Sequence, residues 1–182
     1  MSREEIYINQ SFYANAIKNG VYLVLLHANR VPPHIGMLMN NQYHSLSLKG
    51  QELNISGNVL LKNIGLRKIP TVFIKIKRHP VFSVMHMNET FIEQVRQFDR
   101  VNTEGNTCLS PIKLFFDEFY AIDKKKIRLV FDLLDDLKEN DFIEEACGMN
   151  LGEINKNIFY LPPYNEADLH VQIESESKKI KA

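Results

Sequence analysis

Apolar residues predict several short strands, most of them in the first half of the chain. Residues 21–28 form a continuous apolar run, which is typical of a strand covered on both faces. Residues 34–39 and 43–48 lie on either side of an asparagine-rich turn and predict a β-hairpin, because asparagine tolerates the positive φ of tight turns. Residues 70–77 alternate like another strand once the proline is passed, and residues 157–161 predict a late edge strand.

Helical spacing of apolar residues predicts helices between and after these strands. The predicted helical segments are 4–18, 54–64, 89–101, 112–120, 126–137, 141–147 and 166–179. This order places helices beside a small antiparallel sheet, which is an α+β architecture. We expect one α+β domain over residues 1–182, in which residues 122–182 form a mainly helical C-terminal extension.

Composition and charge bear on whether the chain binds nucleic acid, crosses a membrane or is secreted. The 22 basic residues balance the 22 acidic ones, which argues against a nucleic-acid partner. No apolar run approaches the roughly 20 residues that cross a bilayer, so no transmembrane segment is expected. The first residues lack the pattern of a secretory signal, and a cytoplasmic location is therefore expected. The apolar N-terminal segment leaves a homo-oligomer open.

The two cysteines are expected to be reduced thiols rather than a disulfide pair. Cys108 comes where a polar loop gives way to the predicted helix 112–120. Unpaired N–H groups at a helix start carry partial positive charge and favour the thiolate, which is the nucleophilic form. Cys147 follows Glu144 and Glu145, whose charges oppose ionisation, and is expected to be a packing residue.

A cysteine nucleophile needs an imidazole to share its proton and a polar group to orient that imidazole. His34 begins a predicted strand, and Gly36 leaves room on the same face. His44 lies on the neighbouring hairpin arm, from which it could orient His34 through a ring nitrogen. Cys108, His34 and His44 are therefore the candidate catalytic residues. No cofactor is expected, and no metal either, because His79 and His86 lack the close spacing of zinc ligands.

Two short segments resemble a known family. Residues 33–43 (PHIGMLMNNQY) precede by some seventy residues the sequence Thr107-Cys-Leu-Ser-Pro, which opens an aromatic-rich helix. Over roughly residues 20–121 this resembles the circularly permuted NlpC-type papain-like proteins, the group that includes lecithin:retinol acyltransferase. In that family a strand of the form His-x-Gly/Ala precedes a cysteine that begins a helix. The resemblance implies a papain-like fold and a cysteine hydrolase or acyltransferase that acts on an amide or ester.

A non-catalytic function stays open as the alternative to an enzymatic one. Thr107 stands where the family has asparagine, which favours a degenerate member of the fold that serves as an interaction module. Cysteine is also among the residue types most often buried, so Cys108 fits a packing role as well. If the chain is an enzyme, its substrate is a small molecule, a peptide or a lipid, among which the sequence pattern does not choose.

Overall fold

The main element of the fold is a six-stranded antiparallel sheet. In the computed structural model, which describes residues 4–9 and 19–181, helices pack on both faces of this sheet, so the chain is α+β as expected. The strands of the main sheet are β2 (Val21–Leu26), β3 (His34–Met39), β4 (Gln42–Ser47), β5 (Gly50–Ser56), β6 (Thr71–Ile76) and β7 (Ile143–Met149). Their order across the sheet is β5-β4-β3-β2-β6-β7.

A second sheet and five helices complete the described structure. The strands β1 (Glu4–Tyr7) and β8 (Ile158–Leu161) pair with each other, also in antiparallel fashion. The helices are α1 (Gly57–Leu66), α2 (Val84–Arg96), α3 (Leu109–Tyr120), α4 (Val130–Glu139) and α5 (Glu166–Lys181). None of the helices in the described ranges combines the length and the apolar character needed to cross a membrane.

Each face of the main sheet buries its own apolar cluster. Leu23, Leu25 and Met37 point to one face, where they belong to the large core that includes Phe91 of α2 and Phe115 of α3. Residues of the opposite parity point to the other face, because side chains alternate along a strand. That second cluster comprises Tyr22, Val24, Leu38, Tyr43, Leu60, Ile64, Phe73 and Cys147, and it packs under α1. The clusters on both faces confirm the prediction that residues 21–28 contain a strand covered on both sides, and they explain its unbroken apolar run.

Three predicted helices include residues that form strands in the structure. Residues 4–7 of the predicted helix 4–18 form β1, which pairs with β8, while residues 10–18 lie outside the described part. The predicted helix 141–147 is wrong: these residues enter β7, which pairs with β6. The predicted helix 54–64 begins three residues too early, because residues 54–56 belong to β5 and α1 begins at residue 57. Ladder pairing along the sheet outweighs local helical spacing at these places.

The C-terminal segment 122–182 was expected to be mainly helical. It supplies α4 and α5 but also β7 of the main sheet and β8 of the small one. Because β7 is hydrogen-bonded to β6 along its length, this segment is part of the central sheet. The prediction of helix for residues 112–120 agrees with α3, and that for residues 166–179 agrees with α5.

One end of the main sheet gathers segments that are distant in sequence. Antiparallel pairing puts Leu26, at the end of β2, opposite His34, at the start of β3. The C-terminal end of β4 lies at this same end of the sheet, since Gly36 near the start of β3 pairs with Ser45 near the end of β4. The backbone N–H of Val101 donates to the carbonyl of Ser47 at 2.9 Å. This bond ties the segment before α3 to the end of the sheet where His34 lies.

Candidate active site

Cys108 lies at the N-terminus of α3, in a turn that its neighbours cap. The backbone N–H of Leu109 donates to Thr107 Oγ1 at 3.2 Å, and the backbone N–H of Thr107 donates to Ser110 Oγ at 3.0 Å. These reciprocal bonds resemble a capping box, in which side chains satisfy the free N–H groups of the first turn. The Cys108 side chain takes no part in the cap. It is half-buried and lines a cleft.

A hydrogen-bonded series runs from His34 across three strands. His34 lies at the start of β3, where the Cys108 thiol is near enough to raise its pKa. Its Nε2 lies 3.1 Å from Ser45 Oγ on β4, and Ser45 donates to Glu52 Oε2 on β5 at 2.5 Å. Because the serine hydrogen is directed to Glu52, the serine oxygen accepts from the Nε2–H of His34. Nε2 is also 3.6 Å from Glu52 Oε2.

This series favours the charged imidazolium. Burial acts to lower the pKa of His34, but hydrogen bonds with Cys108 and Glu52, together with their charges, outweigh it and raise the pKa to about 9. The hydrogen bond with His34 in turn lowers the pKa of Glu52, against the opposing effect of burial. At neutral pH the two side chains are therefore an ion pair, bridged by the Ser45 hydroxyl.

A β-bulge aligns Glu52 with the site. Tyr43 on β4 pairs with Ile55 on β5, but two residues further along β4, Ser45 pairs with Glu52. β5 thus advances by three residues where β4 advances by two, with Asn54 in the left-handed region at a φ of 57°. Without the extra residue, Ser45 would oppose Leu53. A one-residue change of register exchanges the two faces of a strand, so the bulge brings a carboxylate rather than a leucine beside Ser45.

Gly36 allows a close contact that a side chain at this position would obstruct. A Cβ atom at this position would come within 2.4 Å of the Tyr43 hydroxyl and 2.5 Å of its ring. The ring of Tyr43 therefore lies directly over the backbone of β3, two residues from His34. The Tyr43 hydroxyl is buried near Ser45 and makes no hydrogen bond of good geometry within the described residues.

His44 does not have the position predicted for it. The expected role was to orient His34, but alternation directs His44 to the opposite face of β4. Its Nε2 is 3.0 Å from Asn88 Oδ1, and its Nδ1 accepts the backbone N–H of Asn54 at 3.0 Å. Both ring nitrogens are thus occupied away from His34. Burial lowers the pKa of His44, against a smaller opposing effect of the Asn88 bond.

Cys147, His79 and His86 lie apart from this series. Cys147 is buried in the cluster under α1, and burial, with the charge of Glu145 acting in the same direction, raises its pKa to about 11. His79 Nδ1 accepts backbone N–H groups of residues 81 and 82, and His86 stacks on the ring of Phe82. Within residues 4–9 and 19–181, no group of three His, Cys, Asp or Glu side chains is arranged to hold a metal ion.

An open cleft of about 580 Å³ gives access to the thiol and the imidazole. Its lining includes Cys108, His34, Tyr43 and Glu52, together with apolar side chains of α1 and α5. His27 lines it as well, at the end of β2, with its backbone in the left-handed region at a φ of 54°. Burial lowers the pKa of His27, and the charges of Arg30 and His34 act in the same direction.

The structure thus brings two of the three predicted site residues together and adds others. Cys108 and His34 line the same cleft, whereas His44 lies on the other face and the polar neighbours of His34 are Ser45 and Glu52. Sequence reasoning missed Glu52 because it extended a helix back to residue 54 and left β5 unrecognised. The signal that could have found it is Lys49-Gly50, which directly follows the alternating strand 43–48 and is typical of a hairpin turn.

The chain was compared with known proteins at three levels. No family model, no curated protein and no solved structure matches it. The arrangement of Cys108, His34 and Glu52 in the cleft, with Ser45 buried behind them, is therefore the basis for a functional assignment.

Proposed function

We propose that this protein is a cysteine hydrolase or acyltransferase that cleaves an ester or amide through Cys108 and His34. One observation carries the proposal: Cys108, His34 and Glu52 line one open cleft, and the buried Ser45 hydroxyl joins His34 to Glu52 by hydrogen bonds. Such an arrangement supplies a nucleophile, a proton carrier and an orienting carboxylate, the three parts of a cysteine-dependent site.

The first half of the reaction forms a thioester. The Cys108 thiolate attacks the substrate carbonyl carbon, a C–S bond forms, and the carbonyl electron pair moves onto oxygen. When this tetrahedral intermediate collapses, the bond to the leaving oxygen or nitrogen breaks. The imidazolium of His34 gives its proton to that leaving group. Because the Nε2–H of His34 faces Ser45, Nδ1 is the nitrogen that exchanges a proton with the reacting groups.

The second half releases the acyl group. Neutral His34 removes a proton from water, or from an alcohol or amine acceptor, which attacks the thioester carbonyl. The C–S bond breaks and the thiolate of Cys108 is restored beside the imidazolium. Water gives hydrolysis, whereas another acceptor gives acyl transfer. Ser45 and Glu52 hold the ring in one orientation during both steps and stabilise its positive charge.

The start of α3 provides a donor for the developing oxyanion. Among the described residues, the backbone N–H of Cys108 has no hydrogen-bond partner, because the cap uses those of Thr107 and Leu109. This N–H lies next to the reacting sulfur and at the positive end of the helix dipole. A donor at such a position stabilises charge that appears only in the transition state.

The family resemblance points in the same direction. The circularly permuted NlpC-type proteins, as noted above, carry their histidine on a strand before a helix that begins with the cysteine. Here β3 carries His34 and α3 begins after Cys108. The antiparallel sheet is compatible with that arrangement, and we propose a papain-like relationship on this basis.

The proposal is tested with p-nitrophenyl acetate, an activated ester that needs no knowledge of the natural substrate. We expect a burst of p-nitrophenolate equal to the enzyme concentration and an acetyl group on Cys108, found by mass spectrometry of peptides. C108A should abolish the burst, and H34A should slow it by at least about 100-fold, the usual size of a lost acid-base catalyst. C147A is the matched control and should behave like the wild type.

A second measurement separates an activated thiol from an ordinary one. Alkylation of Cys108 by iodoacetamide should be rapid at pH 6, where a free thiol with a pKa of about 8.5 reacts slowly. H34A should remove that advantage, whereas C147A should keep it. Alkylation of Cys108 that follows the pH profile of glutathione, with no acetyl group on the sulfur, would contradict the enzymatic proposal and favour an interaction module.

A further inference from the structure

The cleft is bordered by three loops that come from different parts of the sequence. They are the β2–β3 connection (27–33), the β4–β5 turn (48–49) and the α1–β6 connection (67–70). The first and third run side by side, because the N–H of Ala28 donates to the Pro70 carbonyl at 2.9 Å. All three emerge at the end of the sheet where His34 lies.

Each loop contributes one exposed cation to the lining of the cleft: Arg30, Lys49 and Arg67. Within the described part of the chain, none of the three has a carboxylate within 4 Å. Lys49 acts on Glu52 through longer-range attraction only.

The carboxylates of the cleft are already engaged. Glu52 pairs with His34 through Ser45, and Glu176 of α5 pairs with Lys179 at 2.6 Å. The chain as a whole has equal numbers of basic and acidic residues. Three uncompensated cations in one cleft are therefore a local excess of positive charge, which a bound anion would balance.

Apolar side chains form the remaining walls. Leu60 and Ile64 face the cleft from α1, and Leu169 and Ile173 from α5. Leu169 packs with Cys108 at the edge of the small cluster that contains Ile173. A ligand that fills the cleft thus meets hydrocarbon near the sulfur and positive charge at the loops.

We propose that the substrate carries an anionic group, a carboxylate or a phosphate, and that Arg30, Arg67 and Lys49 bind this group while Cys108 attacks a nearby ester or amide carbonyl. This inference rests on the proposed function and adds the class of substrate to it. Guanidinium groups suit the role, since their planar donors match carboxylate and phosphate oxygens in pairs. The apolar part of the substrate lies between α1 and α5.

The inference predicts that Cys108 prefers an anionic reagent. Iodoacetate and iodoacetamide transfer similar groups to sulfur, with loss of iodide, and differ in charge. The ratio of their rate constants at Cys108, divided by the same ratio for glutathione, measures the attraction of the cleft for a carboxylate. We expect the double variant R30Q/R67Q to lower this ratio several-fold, by up to about 25-fold, taking up to about fivefold for each exposed charge. Because the ratio compares two reagents on the same variant, any change in the general reactivity of the thiol cancels from it.

The control is R78Q/R96Q, which removes two exposed arginines that do not line the cleft. This variant should keep the wild-type ratio. High salt should reduce the wild-type ratio, because exposed charges are screened. Protection of Cys108 by glutarate or by inorganic phosphate then identifies the group: the stronger protector shows whether the site suits a carboxylate or a phosphate.

Two results would overturn the inference, and they are distinguishable. A rapidly alkylated Cys108 whose reagent ratio is the same in the wild type and in R30Q/R67Q would refute the anionic substrate and leave the proposed function intact. A Cys108 that reacts with iodoacetamide no faster than glutathione does would contradict the proposed function itself, and this inference with it.

Discussion

Removal of the Glu52 charge should lower the pKa of His34 without disturbing the hydrogen bonds around it. The substitution E52Q suits this purpose, because the glutamine side-chain oxygen still accepts from Ser45. The Coulomb energy of unit charges 3.6 Å apart, the distance from His34 Nε2 to Glu52 Oε2, is about 1.2 kcal/mol in water and about 4.6 kcal/mol at an effective dielectric constant of 20.

The exposure of Glu52 decides between these two limits. Its side chain is 41% exposed, so solvent screens the pair and the lower end of the range applies. We take about 1.4 kcal/mol, which corresponds to about one pKa unit. The pKa of His34 should therefore fall from about 9 to about 8 in E52Q. The effect of Cys108 remains and holds the pKa of His34 above the ordinary value.

The assay is an NMR titration of the His34 ring in wild type and variant. E144Q is the matched control, since it removes a similarly exposed carboxylate from an ion pair with Lys75 on the far side of the sheet. Its His34 midpoint should equal that of the wild type. An E52Q midpoint that stays at about 9, or an equal shift in E144Q, would refute the role given to Glu52.

The same pKa determines how stability depends on pH. Because the pKa of folded His34 lies above the ordinary value of 6.5, the stabilisation from its protonated form is complete below about pH 6.5 and is lost as the pH rises through about 9. The loss in free energy of unfolding between these values should be smaller in E52Q than in the wild type.

Two further substitutions test the supports of the site. G36A should destabilise the fold by about 1–3 kcal/mol in urea unfolding, because the new methyl group displaces the Tyr43 ring. H44F should cost about 1–3 kcal/mol, since it leaves the buried Oδ1 of Asn88 and the part-buried N–H of Asn54 without their hydrogen-bond partner. Burial lowers the pKa of His44, so wild-type stability should fall as the pH drops below about 6.5, and H44F should lack that part of the acid loss.

G36A and H44F each have a matched control variant. G65A adds a methyl group at a glycine of α1 that has no neighbouring atom within 4 Å, and it should be neutral or slightly stabilising because alanine favours a helix. H86F replaces an exposed histidine whose contacts are ring stacking and should change unfolding little. A G36A variant as stable as G65A, or an H44F variant as stable as H86F, would contradict the packing or hydrogen-bond argument concerned.

The parts of the fold that follow from local pattern could be predicted from the sequence. The run 21–28, the hairpin with its asparagine turn and the helix after Cys108 all depend on neighbours within a few residues, and all are present in the structure. β7 was missed because its character comes from β6, a strand about seventy residues earlier whose free edge offers a ladder of backbone partners. Pairing over such distances leaves little trace in the spacing of one segment.

In the candidate site too, the residues whose positions depend on local sequence could be predicted and the others could not. Cys108 and His34 could be proposed because each lies at the start of a helix or strand. Such starts can be recognised from a few neighbouring residues. The positions of Ser45 and Glu52 beside His34 could not be predicted, since they depend on how β4 and β5 align. His44 was chosen because it is the histidine on the neighbouring arm, yet alternation turns it to the opposite face from His34.

His44 nevertheless contributes to the site through the bulge. The bond from the Asn54 N–H to His44 Nδ1 satisfies a backbone donor at the point where the regular ladder of β4 and β5 breaks. The bulge leaves Leu53 against the large core and Glu52 beside Ser45, on the opposite face. A strand in regular register would exchange them and put a carboxylate against hydrocarbon, at a cost that burial of an unpaired charge makes prohibitive. The apolar contacts of Leu53 and the ion pair of Glu52 therefore favour the same register, so the core and the candidate site stabilise each other.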